Sequence, residues 1–481
     1  MATRLHPLGQ RALVNALALF GGEGISRSAT FLVSMIVAHR FGPVALGQYG
    51  FALAVASIFA IVPDFGLHLL TTRELVIQPE RLRSIFWNLH WLKILLVCWV
   101  AASVVLFGHG VVQDGVRRIL LYLLVTRALL QSFSQIYMAI LKAFERMHYI
   151  ALQQFAGAAI AVACATVALI LRANLFMVVS CLLAGQAIEA WIGWRVVVRR
   201  FEPGELYAWN VGLQWNMLTA AAPIGLTIGL QALNIRFDVV AAGIFSDDLD
   251  LGRFQAAAWF LVGTFLCVSL LMNVVFPKLS RLLQKPSERS RAYVESLLKN
   301  GSLLAIAGSL MVWLGAPWIL RWFFGASLGT AVDLLRIIAL ALPFMFLNTM
   351  LSYVFIAARL RAVYLGTFAW GVGIGCLLSV VLAKRYGVTG VAVADVIREF
   401  LMTFMFLVHL KRKHVALEVG RGLLNAYAIV AALAGALGIL SRAVRLTEWL
   451  VLLELLMLGG TLIAVGLPRR REFSLLVDET S

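Results

Sequence analysis

The stretch Leu46–Ala52 (LGQYGFA) is echoed at Leu251–Ala257 (LGRFQAA), and each copy lies between one long apolar run and the next. Six apolar runs begin between the start of the first copy and the start of the second. Because six is an even number, both copies would enter a membrane in the same direction. The echo therefore predicts a parallel repeat of two similar helical bundles, related by a pseudo-two-fold axis along the membrane normal, which is typical of transporters.

The composition is that of a membrane protein. Of the 481 residues, 61% are hydrophobic and only 14% are charged, and the mean hydropathy is +0.90. Soluble domains are roughly 25% charged, whereas a membrane-spanning helix needs about 20 largely apolar residues. We therefore predict an all-α integral membrane protein with about 14 transmembrane helices. No loop between the apolar runs is long enough to form a catalytic domain, which argues against an enzyme.

The charge and the cysteine and histidine patterns argue against several other classes. A net charge of +17 would suggest nucleic-acid binding in a soluble protein, but Lys and Arg also collect in the cytoplasmic loops of membrane proteins. The five cysteines lie in apolar runs without a CxxC pair, and the eight histidines include no HExxH motif. We expect no nucleic-acid partner, no metal and no cofactor.

The predicted spans follow the apolar runs. Those of the first half are Val14–Ala38, Gly47–Leu70, Phe86–Phe107, Leu120–Leu141, Tyr149–Leu171 and Leu175–Val198. Those of the second half are Leu213–Ile235, Phe254–Pro277, Leu297–Leu314, Val332–Ala357, Val363–Ala383 and Val388–Leu410, followed by Leu423–Leu440 and Leu446–Leu467.

These spans predict five parts of the chain. They are an N-terminal six-helix bundle over 1–198, a cytoplasmic linker over 199–211, a C-terminal six-helix bundle over 212–414, two additional helices over 415–467 and a cytoplasmic tail over 468–481. If the N-terminus is cytoplasmic, most Lys and Arg residues fall in inner loops, whereas the outer loop 247–250 is acidic. This asymmetry predicts that both termini are cytoplasmic.

Ionisable side chains within the spans carry the functional information, because a charge at the bilayer centre costs about 2.5–3.5 kcal/mol. Glu23 and Arg27 are four residues apart on one helix face, which fits a self-neutralised pair as well as a substrate contact. Asp395, Arg398 and Glu399 also share a face, and they fit a structural network between helices.

Two polar stripes follow helical spacing. Arg127, Gln131 and Ser134 form one in the fourth span, and because no acid lies one turn from Arg127, we interpret it as lining a cavity. Gln231, Asn234 and Asp238 form the other in the seventh span.

Two further positions stand out in the first half. Pro63 and Asp64 place a helix breaker beside a carboxylate, which fits a helix-end acceptor as well as an ion-coupling site. Lys93 fits both a cavity position and a side chain that snorkels to the interface.

Several motifs resemble a known family. Ala38–Tyr49 (AHRFGPVALGQY), Asp64–Leu67 (DFGL), Thr72–Glu74 (TRE), Arg236–Asp238 (RFD) and Tyr386–Ala392 (YGVTGVA) are similar to segments of polysaccharide flippases. These are the Wzx-type members of the multidrug/oligosaccharidyl-lipid/polysaccharide (MOP) exporter superfamily.

The resemblance implies alternating access in the bacterial inner membrane, with a polyprenyl-pyrophosphate-linked oligosaccharide as cargo for surface polysaccharide biosynthesis. The implied partners are this substrate, membrane lipids, a polysaccharide polymerase and glycosyltransferases. Basic residues in the cavity would bind the pyrophosphate, since Arg gives bidentate phosphate contacts and Lys gives a point charge. The candidates for this role are Arg27, Lys93, Arg127, Arg336 and Arg398. The candidates for polar lining or ion coupling are Glu23, Asp64, Gln131, Gln231, Asn234 and Asp238.

Two other functions stay open at this point. A cation-coupled multidrug exporter of the same superfamily would use an acidic pocket, for which Glu23, Asp64 and Glu189 are available. A saccharide polymerase or ligase would need a large outer loop with catalytic side chains, and the predicted outer loops are short.

Overall fold

The computed structural model describes residues 7–204, 209–284 and 287–412, with side chains from Ser28 onward except at 289, 326 and 330. The two additional helices predicted over 415–467 and the tail predicted over 468–481 lie outside these residues.

The described chain is helical from end to end and contains no β-strand in these residues, as the prediction of an all-α protein requires. Two short 3-10 helices, Pro79–Arg81 and Ala326–Ala331, join longer elements. The α-helices are α1 (Pro7–Phe59), α2 (Ile61–Asp64), α3 (Leu67–Ile77), α4 (Leu82–Gly110), α5 (Gly115–Ala143), α6 (Met147–Ile170), α7 (Leu175–Phe201), α8 (Val211–Phe245), α9 (Asp248–Gln284), α10 (Glu288–Phe324), α11 (Val332–Ala357) and α12 (Arg361–Arg412).

Most spans predicted between Val14 and Leu410 fall within one of these helices. The exceptions are Gly47–Leu70, which runs from α1 through α2 into α3, and Tyr149–Leu171, which ends one residue beyond α6. In the described residues, ten helical stretches are long and apolar enough to cross a membrane. Of the ten, Arg361–Arg412 contains two predicted spans, and Ser28–Ile77 contains Gly47–Leu70 and the last part of Val14–Ala38. The chain is therefore a multi-pass membrane protein.

Single glycines separate the two spans in each of these long stretches. Gly387 has a φ of 57°, a backbone conformation that glycine adopts without strain. The two halves of α12 fold back on each other there, because Gly371 faces Met402 and Gly375 faces Arg398. Gly42, with a φ of 82°, interrupts α1 in the same way. In each case the two predicted spans are joined by a single non-helical glycine and not by a loop.

The described residues form two compact units. Those up to Gly243, with Asp247–Gly252, form the first, and Ile244–Ser246 with those from Arg253 onward form the second. The predicted linker 199–211 falls within the first unit, and its residues 205–208 lie outside the described chain. The predicted limits of the two bundles stay predictions.

Helix α5 is central to the first unit, where it packs against α1, α3, α4, α6 and α7. One apolar cluster joins α3, α4 and α5 through side chains such as Leu67, Phe86, Leu89 and Ile136, all of them buried. Helix α11 holds the corresponding place in the second unit, between α10 and α12. Nearly every residue of α11 from Leu334 to Phe355 is buried or half-buried, so α11 is enclosed by its neighbours.

Candidate functional site: polar residues within the spans

The first polar group, which we call the Lys93 cluster, comprises Asp64, His68, Lys93 and the carbonyl of Ser132. The Lys93 ammonium donates to Asp64 Oδ1 at 3.1 Å and to the Ser132 carbonyl at 2.5 Å. His68 Nδ1 lies 2.5 Å from the second carboxylate oxygen of Asp64. The Lys93 side chain is fully buried, while those of Asp64 and His68 are 15% and 19% exposed. The structure thus pairs two of the predicted site residues.

A break in the helix places Asp64 in this cluster. Helix α2 ends at Asp64, Phe65 and Gly66 have positive φ angles of 34° and 78°, and α3 begins at Leu67. The break predicted at Pro63–Asp64 is therefore present. Gly66 is required here, because a methyl group on it would come within 2.8 Å of the Gly225 nitrogen in α8.

The second polar group is a stripe along α5, which faces α1 and α7. The Arg127 guanidinium is half-buried, and its Nη2 donates to Thr30 Oγ1 of α1 at 3.4 Å. The buried carboxylate of Glu189 in α7 lies close enough to Arg127 to be attracted by its positive charge. Gln131 is half-buried on the same face of α5.

The stripe ends one turn further along α5. Ser134 Oγ accepts a hydrogen bond from Gln186 Nε2 of α7 at 3.2 Å. Close packing supports this contact, since Gly157 of α6 and Gly185 of α7 approach backbone to backbone.

Helix α8 carries three further candidates. Gln231 and Asn234 are half-buried and Asp238 is buried. The Asn234 side-chain oxygen is buried and, among the described residues, has no hydrogen-bond donor.

A third polar group lies at one end of the first unit, and the search for charged residues within the spans missed it. Gln48 Nε2 donates to Asp114 Oδ2 at 3.1 Å and to Asp248 Oδ2 at 2.8 Å. The Arg117 guanidinium forms an ion pair with Asp248 and donates to the Gly243 carbonyl at 2.8 Å. Gln48 belongs to the echoed motif, but nothing local in the sequence indicates that it meets Asp248.

The two echoes are in contact at this group. Gly47 and Gly252 hold the same position of the motif, and their backbones approach so closely that a methyl group on either would strike the other segment. Small residues at helix contacts allow such approach in membranes.

The second unit contains a polar group that we call the Arg398 cluster: Asn348, Asp395, Arg398, Glu399 and Thr403. Arg398 Nη2 lies 3.0 Å from Asp395 Oδ1 and 3.3 Å from Glu399 Oε1. Asn348 Nδ2 donates to Glu399 Oε2 at 2.8 Å, and Thr403 donates to Asn348 Oδ1 at 2.8 Å. All five side chains are buried. The face predicted to carry Asp395, Arg398 and Glu399 is therefore a buried ionic network.

The remaining candidates are separate from these groups. Arg336, near the start of α11, lies 3.8 Å from Asp333 and stacks over Trp313 with its guanidinium carbon 5.1 Å from the ring centroid. Glu23 and Arg27 lie outside the residues whose side chains the structure describes.

Comparison with known proteins gives one family match. Residues 12–283, a little over half of the chain, match the family described as "Polysaccharide biosynthesis protein". No curated protein matches the chain.

Solved structures match over nearly the whole described fold. One described as lipid II flippase MurJ in an inward closed conformation has a TM-score of 0.74 and 15% identity, and the match covers 94% of this chain and 98% of that one. An inward-facing multidrug resistance MATE family transporter of the MOP superfamily has a TM-score of 0.65 and 13% identity, with 81% and 94% covered. A MOP superfamily transporter from Pyrococcus furiosus has a TM-score of 0.55 and 13% identity, with 84% and 95% covered. At such identities the likeness concerns the fold.

Proposed function

We propose that this chain, which belongs to the polysaccharide biosynthesis protein family, is a flippase of the MOP exporter superfamily that serves surface polysaccharide biosynthesis. Its cargo in this proposal is a polyprenyl-pyrophosphate-linked oligosaccharide, which crosses the bacterial inner membrane by alternating access. Both termini are cytoplasmic in this proposal, and the protein catalyses no covalent step.

The proposal depends on the environment of Arg127. Its guanidinium lies within a membrane-spanning helix and is half-buried. In the described part of the chain, no carboxylate oxygen lies within 4 Å of its nitrogens to form an ion pair. Its Nε is buried without a hydrogen-bond acceptor among the same residues. A guanidinium in a membrane with spare donors suits a pyrophosphate, because its donor fork matches phosphate oxygens.

The other predicted basic residues take different parts in this proposal. Lys93 is held by Asp64 beside the helix break, so it reaches the substrate only if this pair opens. Arg398 is held by two buried carboxylates, so we assign it to the framework of the second unit. Arg27 and Arg336 stay candidates for binding the saccharide or the pyrophosphate.

The test is transport by the purified, full-length protein in liposomes that carry a fluorescent undecaprenyl-pyrophosphate oligosaccharide. A quencher added outside measures how much of the lipid has crossed the bilayer. We expect Arg127→Gln to slow the crossing by about tenfold or more, since a hydrogen bond to a charged group contributes roughly 1.5–3 kcal/mol. Arg127→Lys should keep part of the activity.

Arg118→Gln is the matched control, because Arg118 lies on the same helix, near its first turn, away from the stripe. It should transport at the wild-type rate. An unchanged rate in Arg127→Gln would overturn the role of Arg127, and the absence of any crossing in the wild-type protein would overturn the substrate.

A cation-coupled drug exporter of the same superfamily is the second candidate. The observation that favours it is the pair of acids in the first unit, Asp64 and Glu189, of which Asp64 is partly exposed at a helix break. Efflux of a cationic dye from cells that express the protein, abolished by Asp64→Asn, would support this function over the first.

A further inference from the structure

A groove of about 690 Å³ runs between the first half of α1 and the last turns of α6. Both of these segments belong to the first unit. The groove is distinct from the Lys93 cluster and from the stripe around Arg127, since it shares no lining residue with either.

Helical spacing builds the walls. Leu32 and Ile36 lie one turn apart on α1, and Val162 and Leu169 lie two turns apart on α6, so each helix offers one apolar face to the groove. Leu32 is 42% exposed. The groove therefore offers apolar walls that suit an acyl chain.

Basic residues gather at one end. His39 and Arg40 stand in the last turn of α1 before the Gly42 break, and Arg172 follows the end of α6 at Ile170. All three are exposed, and in the part of the chain that the structure describes neither arginine forms an ion pair with a carboxylate. His39 Nδ1 is hydrogen-bonded to the Met35 carbonyl at 3.0 Å.

An apolar groove with positive charges at one end is complementary to a lipid that has an anionic headgroup. We propose that this groove binds one anionic phospholipid, with an acyl chain between α1 and α6 and the phosphate at Arg40 and Arg172. Arg40 stands just before the Gly42 break of α1 and Arg172 just after the end of α6, so both arginines lie where their helix ends, and both line the groove. In the predicted orientation these helix ends lie at the outer leaflet.

The bound lipid would brace the helix that carries Thr30, the hydrogen-bond partner of Arg127. Anionic lipid would therefore stabilise the first unit. This inference does not rest on the proposed function, since it concerns a lipid that stays bound at the surface of the unit.

The test is native mass spectrometry of the full-length protein, titrated with phosphatidylglycerol or with phosphatidylcholine. We expect the wild-type protein to retain one phosphatidylglycerol in preference to phosphatidylcholine. Each basic residue near an anionic headgroup strengthens binding about fivefold, so Arg40→Ala with Arg172→Ala should weaken phosphatidylglycerol binding about 25-fold. Ile36→Trp keeps the charges, fills the groove and should lower retention of the lipid as well.

Lys384→Ala with Arg385→Ala is the matched control. It removes two charges from exposed residues of α12 beside the Gly387 break, away from the groove. Binding of phosphatidylglycerol should stay at the wild-type level. Equal binding by the Arg40/Arg172 variant and the wild type would overturn the site. Displacement of phosphatidylglycerol by an equimolar amount of undecaprenyl phosphate would overturn the occupant.

Discussion

The Lys93 cluster and the Arg398 cluster both hold charges inside membrane-spanning helices, but they are built on different backbones. The Arg398 cluster stands on regular turns of α11 and α12, with one cation between two acids and every side chain buried. The Lys93 cluster stands on a broken helix, with one cation, one acid and a histidine, and its acid is partly exposed.

This difference suggests that the Arg398 cluster has a structural role and that the Lys93 cluster takes part in transport. Charges on regular helices move only if whole helices move, and the satisfied network of Asn348, Glu399 and Thr403 resists that. Charges beside a break can shift with a few backbone angles. We therefore expect damage to the Arg398 cluster to cost stability, and damage to the Lys93 cluster to cost both stability and transport.

The largest effect should come from Arg398→Met, which leaves two buried carboxylates without their cation. The free energy of unfolding should fall by about 5 kcal/mol, the upper end of the range for a broken buried pair. Thermal unfolding of the full-length protein in detergent measures it. Adding Asp395→Asn and Glu399→Gln should restore both stability and liposome transport. A stable Arg398→Met variant would show that this cluster does not hold α12.

Lys93→Met should come next, with a loss of about 3 kcal/mol. The loss is smaller because Asp64 is partly exposed and keeps His68 as a partner. Adding Asp64→Asn should recover the unfolding temperature while transport stays low. If the double variant transports normally, the Lys93 cluster is a framework like its counterpart in the second unit.

The two helix breaks should resist substitution for different reasons. Gly66→Ala meets a left-handed φ and the backbone of α8, with the new methyl group 2.8 Å from the Gly225 nitrogen, and should cost about 2–3 kcal/mol. Gly387→Ala meets only Ser246 Oγ at 3.2 Å, but its φ of 57° and ψ of −141° are essentially restricted to glycine, so it should cost about 1–3 kcal/mol through the backbone. An unchanged unfolding temperature in Gly66→Ala would contradict the tight packing at Gly66.

Thr403→Val should have the smallest effect, about 1 kcal/mol, because it removes one hydrogen bond to Asn348 and keeps the shape of the side chain. Transport should be unchanged. Thr219→Val is the control, since the exposed Thr219 bonds only its own helix and its removal should leave the unfolding temperature as it was. Slower transport by Thr403→Val would place this cluster in the working part of the protein.

The sequence predicts the helices well because their signal is local. Runs of about 20 apolar residues mark the spans, and the predicted break at Pro63–Asp64 follows from proline and glycine chemistry within four residues. The common face of Asp395, Arg398 and Glu399 follows from helical spacing alone. Each of these features depends on neighbours within two turns.

The partners of the charges follow from packing, and the sequence does not indicate them. Asp64 and Lys93 are far apart in the chain and meet because α2 and α4 pack against each other. Gln48 meets Asp248 for the same kind of reason. Periodicity within one helix also places Arg127 and Gln131 on one face, but Thr30 and Glu189 become their neighbours only when α1 and α7 pack against α5.

The break between α2 and α3 keeps one backbone hydrogen bond on each side of it. Phe65 N–H donates to the Ile61 carbonyl at 2.7 Å, and Leu70 N–H donates to the Gly66 carbonyl at 3.2 Å. A bilayer offers no water to replace lost hydrogen bonds, so a melted segment could not persist at this depth. Because the bend is made by the torsion angles of Phe65 and Gly66, with hydrogen bonds kept on either side of it, the segment can act as a hinge in hydrocarbon.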